Sequence, residues 1–476
     1  MDAAALATPL LDHGALLLTI AHFASAGAVT LHALFKKREV AAAIGWIGLA
    51  WLSPFFGPFL YFLLGINRVK RRAQRLRGAE GGVRPDVALK GRARKTDHSL
   101  LTAVDKITGI DSEPGRVTDI LHCGDEAYPR MLEAIEAAQT SIVFATFIFR
   151  TDEAGERFIA AFTRAHQRGV AIRVLIDGFG GGFLHSAAYH RLHRAGVPVA
   201  RYLHSLLPWK MPLLDLRLHK KIMVIDGRTA FIGGLNIGAE NLLATQPAEP
   251  VRDVHFRIEG PVVNQIAASF QDDWSFTTGE TLDDPVWSAQ AYDAHGAAPA
   301  RAIASGPDQS VDQLVLVLLA AISSAKSSIR IATPYFLPDE QLLTALQLAA
   351  LRGVTVDIVL PARNNHRLVG WAVYAHIRPL LKMGCRLWRS PPPFDHSKLM
   401  VVDDAWCLVG SANWDARSLR LNFELTVEFH DSDLAGRLGA AIDRKLTDPI
   451  MMAEIDARWG IVKIRDAAAR LLMPYL

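Results

Sequence analysis

The stretch that decides the fold is HKKIMVIDGRTAFIGGLN at residues 219–236, because a second copy, HSKLMVVDDAWCLVGSAN, occurs at residues 396–413. In both copies a lysine follows the histidine by two positions, an aspartate by seven, a glycine by fourteen and an asparagine by seventeen. Each copy has the pattern of two apolar β-strands joined by a tight turn. One such pattern is a weak signal, whereas two with identical spacing indicate a duplicated unit.

The sequence around these hairpins is repeated as well. Residues 131–177 and 318–360 both run through an amphipathic helix, a β-rich stretch, a polar turn, a second helix, Arg-Gly-Val and an apolar strand. Strands that alternate with helices predict an α/β fold in which helices cover a β-sheet.

Each hairpin brings an imidazole, an ammonium group and a carboxamide together. The histidine and the lysine lie two positions apart, so both project from the same face of a strand. The turn then brings the asparagine back along the neighbouring strand. These residues are His219, Lys221 and Asn236 in the first copy and His396, Lys398 and Asn413 in the second.

Two such clusters facing each other would suit a phosphodiester. The lysines and asparagines would hold the non-bridging oxygens and stabilise charge in the transition state. One histidine could attack phosphorus while the other protonates the departing oxygen. We take His219 as the nucleophile and His396 as the general acid and then base, and the reverse assignment stays open because the halves are nearly symmetric.

The sequence predicts neither a metal nor another cofactor for this chemistry. Neither half offers a carboxylate cage for magnesium or the histidine and cysteine set that zinc prefers. The three cysteines lack CxxC spacing, so a disulfide framework is not indicated and a reducing compartment is expected for most of the chain.

Two carboxylates are candidates for orienting the histidines. An attacking histidine needs its second nitrogen anchored, usually by a carboxylate or a carbonyl. Asp253 follows His219 by 34 positions, and Glu424 follows His396 by 28, both in strand-like runs. The similar distances associate each carboxylate with the histidine of its own half.

The aspartate of each motif has a different expected position. Asp226 and Asp403 lie seven residues after the histidines, at the far end of the strand. An odd offset along a strand points a side chain to the opposite face, which favours a structural role at the turn.

The N-terminal part predicts a membrane anchor. The chain has 476 residues, 50% of them hydrophobic, and a mean hydropathy of +0.16, which is high for a purely soluble enzyme. Residues 13–35 and 40–67 contain no Asp, Glu, Lys or Arg, and each run could cross about 30 Å of hydrocarbon as a helix. We therefore expect two membrane helices, the second broken near Pro54 and Pro58. A cleaved signal peptide ending near Ala24-Ser25-Ala26 is disfavoured, because no Lys or Arg precedes it.

The charge distribution predicts the orientation of this anchor. Eleven basic residues lie between Arg68 and Lys95, against two acidic ones, so everything after residue 68 is expected in the cytoplasm. The cluster at residues 36–38 opposes this orientation but is smaller, which favours a hairpin with both ends cytoplasmic. The basic run is either a linker that lies on anionic lipid headgroups or a solvated linker without a lipid role.

The paired motifs, with Gly233-Gly234-x-Asn236 and Gly410-Ser411-x-Asn413, resemble the phospholipase D superfamily. Over residues 14–476 the chain resembles the bacterial cardiolipin synthases of that superfamily. The further features that carry this resemblance are Lys37-Arg38-Glu39 before Trp46, Arg252-Asp253 before Gly260-Pro261, Asp273-Trp274, Asn422-x-Glu424 and Leu471-Leu472-Met473-Pro474.

The resemblance implies an α/β fold of two phospholipase D-like domains, each a β-sheet covered by helices, related by a pseudo-twofold axis and preceded by a membrane-helix hairpin. The expected segments are a transmembrane hairpin at residues 1–67, a basic linker at 68–115, and the two domains at 116–295 and 296–476. It also implies a multi-pass protein of the bacterial inner membrane with its catalytic domains on the cytoplasmic side.

The resemblance also implies a reaction, in which one phosphatidylglycerol gives its phosphatidyl group to a second through a phosphohistidine, forming cardiolipin and releasing glycerol. The expected partners are therefore phosphatidylglycerol and anionic membrane lipids. The family motif adds Asp226 and Asp403 to the catalytic residues, against the strand-parity argument. It gives Asn236, Ser411 and Asn413 as phosphate-binding residues, with the hydroxyl from one side only because Gly234 stands in the first half.

Three other functions compete with this hypothesis. A lipid hydrolase would use the same residues with water as the acceptor. A nuclease could hold nucleic acid on the basic linker, although a membrane anchor gives it no evident advantage. A non-enzymatic membrane scaffold would not need two intact clusters. The sequence leaves the oligomeric state and the acceptor preference open.

Overall fold

The computed structural model describes residues 3–36, 40–62, 99–182, 185–204, 216–287, 296–307 and 312–471. The chain divides into two compact units, Met1–Arg75 and Leu76–Leu476. The basic run between Arg68 and Lys95 and the sequence Lys37-Arg38-Glu39 lie outside the described residues, so their predicted roles stay predictions.

The described residues of the first unit form three helices, α1 (Ala3–Lys36), α2 (Val40–Leu52) and α3 (Phe56–Leu60). Within α1, Ala15–Lys36 is the one helix in the described part of the chain that is long and apolar enough to cross a membrane. At 1.5 Å per residue the 13 residues of α2 extend only about 20 Å, less than the hydrocarbon thickness. Helix α2 alone is therefore too short to span, and a second membrane helix over residues 40–67, of which 63–67 lie outside the described residues, stays a prediction.

The predicted break in the second apolar run is confirmed. After α2 ends at Leu52, Pro54 removes a backbone donor and Phe55 adopts a left-handed backbone with φ 60°. Gly57 then passes so close to α2 that a Cβ atom there would lie 2.2 Å from the Leu49 carbonyl oxygen. The chain reverses its direction at this turn.

Contacts with α1 define the path after the turn. Near the end of α2, the Trp51 ring lies 5.6 Å from the Phe23 ring. Ten residues later, Tyr61 hydrogen-bonds through its hydroxyl to His32 Nδ1 at 2.7 Å, and its ring lies 5.4 Å from that of Trp46. Since His32 is near the C-terminal end of α1, the second apolar run leads away from that end and then returns toward it.

The second unit is built on a mixed sheet of fifteen strands flanked by helices, as the α/β prediction required. The strands of this unit are β1 (Glu113–His122), β2 (Ser141–Thr146), β3 (Ala171–Asp177), β4 (Val199–Tyr202), β5 (Ile222–Ile225), β6 (Thr229–Gly233), β7 (Val251–Arg252), β8 (Val254–Glu259), β9 (Ala298–Ser305), β10 (Ser328–Ala332), β11 (Phe336–Leu337), β12 (Thr355–Pro361), β13 (Arg386–Ser390), β14 (Phe394–Asp395), β15 (Leu399–Val402), β16 (Trp406–Gly410), β17 (Trp414–Asp415), β18 (Glu424–Phe429) and β19 (Asp448–Pro449). Its helices are α4 (Ser99–Thr108), α5 (Cys123–Ala137), α6 (Glu153–Gln167), α7 (Ala187–Arg194), α8 (Val262–Thr278), α9 (Gln313–Ser324), α10 (Glu340–Leu351), α11 (Arg367–His376), α12 (Arg378–Lys382), α13 (Ala416–Arg420), α14 (Ser432–Asp443), α15 (Met452–Ala457) and α16 (Gly460–Leu471).

The two halves of the sheet follow the same order outward from its centre. One half runs β1, β8, β6, β5, β2, β3, β4, and the other runs β9, β18, β16, β15, β10, β12, β13, with β19 at the edge. The repeated motifs form the antiparallel hairpins β5–β6 and β15–β16, as predicted. Because β1 pairs with β9, the sheet continues across the expected domain boundary near residue 295.

Apolar side chains of the repeated helices form the core on each half. In the first half, Phe144 of β2 packs against Phe158 and Phe162 of α6. In the second, Ile331 of β10 and Leu346 of α10 belong to one buried apolar cluster. This packing fixes β2 and β10, the strands with which β5 and β15 of the two hairpins pair.

Candidate active site

The two histidines lie where the halves of the sheet meet. The backbone amide of His219 donates to the Phe423 carbonyl oxygen at 2.9 Å, and that of His396 donates to the Arg252 carbonyl oxygen at 2.7 Å. Strand β7 also pairs in parallel with β14, the strand that leads into His396. Each histidine is therefore anchored on a backbone segment of the other half.

The orienting carboxylates cross between the halves in the same way. His219 Nδ1 lies 2.9 Å from Glu424 Oε2, and His396 Nδ1 lies 2.8 Å from Asp253 Oδ2. Both carboxylates are buried. The structure brings together the predicted histidines and carboxylates, but the association of each carboxylate with its own half was wrong.

Sheet register explains why an aspartate and a glutamate share this position. Gly233 pairs with His255 in the first half, and Gly410 pairs with Thr426 in the second. Asp253 and Glu424 each lie two residues before the paired residue, so they occupy equivalent positions in the two halves. The contact of each carboxylate with the histidine of the other half therefore follows from the repeated fold, because it occurs in both halves.

The two lysines lie beside the histidines, as strand parity predicted. Lys221 Nζ donates to the His219 carbonyl oxygen at 2.7 Å, and Lys398 Nζ donates to that of His396. Lys398 Nζ is also 4.0 Å from Asp253 Oδ2. Both lysine side chains are buried, so the site holds two amino groups out of bulk water.

Burial dominates the protonation behaviour of the site. Burial and the nearby Lys398 lower the pKa of His396 to about 4, and burial also lowers the pKa of His219 despite the opposing charge of Glu424. Burial lowers the pKa of Lys221 to about 7 and that of Lys398 to about 8. At neutral pH the free site therefore contains neutral imidazoles next to lysines that are partly deprotonated.

Glu424 is held by more than its histidine. Burial alone would raise its pKa, but His219, Lys221 and the Ser411 hydroxyl outweigh that effect and keep the pKa below the ordinary value. Ser411 Oγ donates to Glu424 Oε2 at 2.6 Å and accepts from the Leu425 amide at 3.0 Å. The Ser411 hydroxyl thus supports the orienting carboxylate, and binding of phosphate by Ser411 stays a prediction.

The counterpart of this serine is Gly234, and the structure explains the difference. A Cβ atom at position 234 would lie 2.2 Å from Asp253 Oδ2, closer than any real contact. The shorter aspartate thus lies directly over a glycine, whereas Ser411 and Glu424 form a hydrogen-bonded pair. The two halves thus position their orienting carboxylates with different side chains.

The two motif asparagines contact protein groups beside the site. Asn236 Oδ1 accepts from the Ile148 amide at 3.2 Å. Asn413 is buried, and its Nδ2 donates to Ser418 Oγ at 3.1 Å while its Oδ1 is left without a hydrogen-bond partner. These contacts hold the loops that follow β6 and β16, and binding of phosphate by the asparagines stays a prediction.

The motif aspartates lie at the turns, at the opposite ends of β5 and β15 from the histidines. Asp226 accepts hydrogen bonds of 2.8 to 3.2 Å from the amides of residues 139–141 and from the Thr140 hydroxyl. Asp403 makes the same set of bonds with residues 326–328. The strand-parity prediction is confirmed, and the catalytic role taken from the resemblance does not fit this geometry.

Sequence reasoning missed several neighbours of the histidines. The Phe147 ring lies 5.2 Å from His219, and the Tyr335 ring lies 6.1 Å from His396. Asp177, buried at the end of β3, accepts from the Leu218 amide at 2.7 Å and so fixes the backbone before His219. Both rings follow the repeated β2 and β10 runs, which is the signal that could have located them.

A buried ion pair lies beneath the first motif. Lys220 Nζ is 2.6 Å from Asp273 Oδ2 and donates to Ser269 Oγ at 2.8 Å. Lys220, the middle lysine of the first motif, therefore joins the hairpin to α8 and points away from the two histidines.

In the ranges that the structure describes, no group of three or more His, Cys, Asp or Glu side chains could hold a metal ion.

Comparisons with known proteins give a family for this chain. A family model described as "Cardiolipin synthase, PLD-like domain" matches residues 131–274 and 318–446. A protein named cardiolipin synthase from Geobacillus sp. (strain WCH70) is 32% identical over 457 residues, covering 93% of this chain and 90% of that protein. Cardiolipin synthase A of Pseudomonas aeruginosa is 31% identical over 458 residues, covering 94% and 93%.

A solved structure supports the fold. The crystal structure of phosphatidylserine synthase from Haemophilus influenzae Rd KW20 superposes with a TM-score of 0.61 at 16% identity. The match covers 79% of this chain and all of that one. At this identity the likeness concerns the arrangement of strands and helices alone.

Proposed function

Because the chain belongs to the family of cardiolipin synthases with phospholipase D-like domains, we propose that it joins two phosphatidylglycerol molecules into cardiolipin and releases glycerol. It is a phosphatidyltransferase. The observation that carries this proposal is the crossed pair of contacts, His219 with Glu424 and His396 with Asp253, because it gives one site two separately oriented imidazoles.

In the first step His219 Nε2 attacks phosphorus, and the bond from phosphorus to the glycerol oxygen breaks. His396 gives its proton to that oxygen, so glycerol leaves as a neutral alcohol and the phosphatidyl group is bound to His219. Glu424 accepts a hydrogen bond from Nδ1–H of His219, which leaves Nε2 unprotonated and aimed at the substrate.

In the second step the free hydroxyl of another phosphatidylglycerol gives its proton to His396 and attacks phosphorus. The bond between phosphorus and His219 breaks, which releases cardiolipin and restores both imidazoles. Lys221 and Lys398 lie beside the two histidines, where their charge would oppose the charge that builds on the non-bridging oxygens.

The protonation states follow from the same geometry. A neutral His219 is the form that can attack, and its lowered pKa favours that form. His396 must carry a proton in the first step, although its pKa in the free site is about 4. The phosphate of the substrate brings a negative charge next to both lysines, which offsets their effect and favours the protonated imidazole.

We also propose that the halves of the second unit, residues 116–295 and 296–476, are phospholipase D-like domains related by a pseudo-twofold axis. The matching strand order on either side of the β1–β9 pair and the reciprocal contacts of the histidines support this proposal. The crossing also explains why one half alone could not form the site.

For the membrane anchor, we propose that α1 crosses the bilayer and that residues 40–62 re-enter without crossing. The return of Tyr61 to the level of His32 supports this path. Re-entry would put the basic residues at 36–38 and those after residue 68 on one side, so that both clusters favour the cytoplasm. In a two-helix hairpin, by contrast, the two basic clusters would lie on opposite sides of the membrane.

The test is incubation of the purified chain in detergent with phosphatidylglycerol alone, with and without a chelator, followed by mass analysis of the lipids. We expect equal amounts of cardiolipin and glycerol, unchanged by the chelator. Phosphatidic acid without cardiolipin would instead identify a hydrolase that uses water as its acceptor.

A further inference from the structure

Helix α16 presents its apolar side chains outward. Ile461, Ile464 and Leu471 have exposed fractions of 75%, 71% and 76%, and Trp459, just before the helix, is 80% exposed. The three aliphatic residues are spaced by three and seven positions, which aligns them along one side of the helix. We call these four residues the apolar ridge. Single exposed apolar residues are ordinary, but an aligned set marks a surface that contacts something other than water.

The opposite face of α16 is fixed by charged groups, so the helix cannot rotate to bury the ridge. Asp466 is buried and accepts from Arg458 at 2.7 Å and from Arg465 at 2.7 Å. The Arg458 guanidinium lies 4.1 Å from the centre of the Tyr374 ring, and that of Arg465 lies 4.3 Å from the centre of the Trp371 ring. Helix α16 therefore buries the Asp466 carboxylate and exposes Ile461 and Ile464, whereas an ordinary surface helix buries its apolar face and exposes its charged one.

The ridge is connected to the rim of the active site through α11. Arg458 lies over Tyr374 and Arg465 over Trp371, so α16 runs antiparallel to α11 and its last residues approach the beginning of α11. Helix α11 begins directly after His366, whose ring lies 5.7 Å from that of Tyr335, the neighbour of His396.

We propose that the apolar ridge inserts into the interfacial region of an anionic lipid bilayer and holds the mouth of the active site against the membrane. Lys463 and Arg470 lie on the exposed side of the same helix, where they can meet anionic headgroups. Lys463 Nζ donates one hydrogen bond to the Asp456 carbonyl oxygen at 2.8 Å, which leaves its other two donors for headgroups, and the Asp456 carboxylate is paired with Arg378. The choice of a lipid occupant rests on the proposed function, because a site that takes both substrates from a bilayer must open toward it.

The test uses the full chain in vesicles of phosphatidylethanolamine and phosphatidylglycerol. An environment-sensitive fluorophore is attached to Ile464→Cys, since Cys123, Cys385 and Cys407 are buried. The control is the same fluorophore at Asp433→Cys, on the first turn of α14, where the side chain is 85% exposed. We expect quencher-bearing lipids to dim the label at 464 at least about twofold and to leave the label at 433 unchanged.

Equal responses at the two positions would overturn the proposal. So would a label at 464 that is shielded before lipid is added, together with a dimer in light scattering, because the ridge would then be a contact between two copies. A shielded label in a monomer would show that another part of this chain covers the ridge, which also overturns it. Quenching is read without turnover, so it is separable from failure of the proposed reaction.

Activity gives a second readout. The double variant Ile461→Ser and Ile464→Ser should lower the turnover of vesicle lipid by about tenfold, because two apolar anchors are lost. Turnover of a short-chain phosphatidylglycerol dispersed in detergent should be unchanged. A matched pair on α10, Leu348→Ser and Leu351→Ser, also exposed, should retain vesicle activity. Unchanged vesicle turnover in the ridge variant would contradict the proposal.

Discussion

Exchanging Glu424 for glutamine should stop the chemistry of His219, although the two residues are 205 positions apart and in different halves. Glutamine keeps the size of the side chain, but its amide can no longer act as a charged acceptor for His219 Nδ1. The contact is 2.9 Å long and the carboxylate is buried, so water cannot replace it. Removing a group that orients a catalytic histidine or stabilises charge in the transition state lowers rates by about 10² to 10⁴, and we expect a loss in that range.

The assay compares two substrates, phosphatidylglycerol and a phosphatidyl ester of p-nitrophenol, by rapid acid quench and peptide mapping. The p-nitrophenolate leaves without a proton, so it does not need His396 or its carboxylate partner, Asp253. Glu424→Gln should fail to form the adduct on His219 with either substrate. Asp253→Asn should fail with phosphatidylglycerol yet form the adduct with the activated ester.

The opposite pattern would refute the assignment. If Asp253→Asn blocks the adduct with both substrates while Glu424→Gln blocks only the natural one, His396 is the nucleophile. If neither variant lowers the rate by more than about tenfold, the crossed contacts do not orient the histidines and the mechanism fails. Circular dichroism of both variants controls for loss of the fold.

The remaining predictions concern pH, the turns, the glycine and the membrane anchor. Because burial lowers the pKa of Lys221 to about 7, its ammonium is present below that pH, and kcat/KM should fall as the pH rises through 7 to 8 in a pH-rate profile. Asp226→Asn should lower the free energy of unfolding by about 2–4 kcal/mol in thermal melts but leave kcat of the folded enzyme nearly unchanged, and a lost kcat in a stable variant would restore a catalytic role. Gly234→Ser should abolish turnover because its Cβ displaces Asp253, and near-normal activity would show that the carboxylate can move. A Lys36→Cys variant should react with an impermeant maleimide from the cytoplasmic side only. Reaction from the outside would instead support a hairpin of two membrane helices.

Local patterns in the sequence predicted the repeated hairpins and the residues on their faces. Strand parity alone put His219 and Lys221 together and turned Asp226 away, because side chains alternate over a few residues of strand. These features depend on backbone geometry within one hairpin. They needed no knowledge of how the two halves meet.

The partners of the histidines depend on contacts between the halves, and there the sequence was insufficient. Separations of 34 and 28 positions suggested that Asp253 and Glu424 each serve the nearer histidine. The structure exchanges them because the backbone of each histidine bonds to the other half, His219 to Phe423 and His396 to Arg252. Spacing also did not predict the hydrogen bond from the Ser411 hydroxyl to Glu424 within the second half.

The anchor shows the same limit of sequence reasoning. Residues 40–67 lack charge and are long enough to span a bilayer as a helix, so the sequence predicted a second span. Pro54 correctly indicated a break in that segment. A count of apolar residues does not reveal direction, and the contact of Tyr61 with His32 is what shows that the chain returns.

The central claim is that the two halves share one site and one nucleophile. The most direct measurement is the stoichiometry of the acid-trapped phosphatidyl adduct on the purified chain, mapped by peptide mass. We predict one adduct per chain, on His219. Adducts on both histidines, or none under conditions of rapid cardiolipin formation, would contradict it.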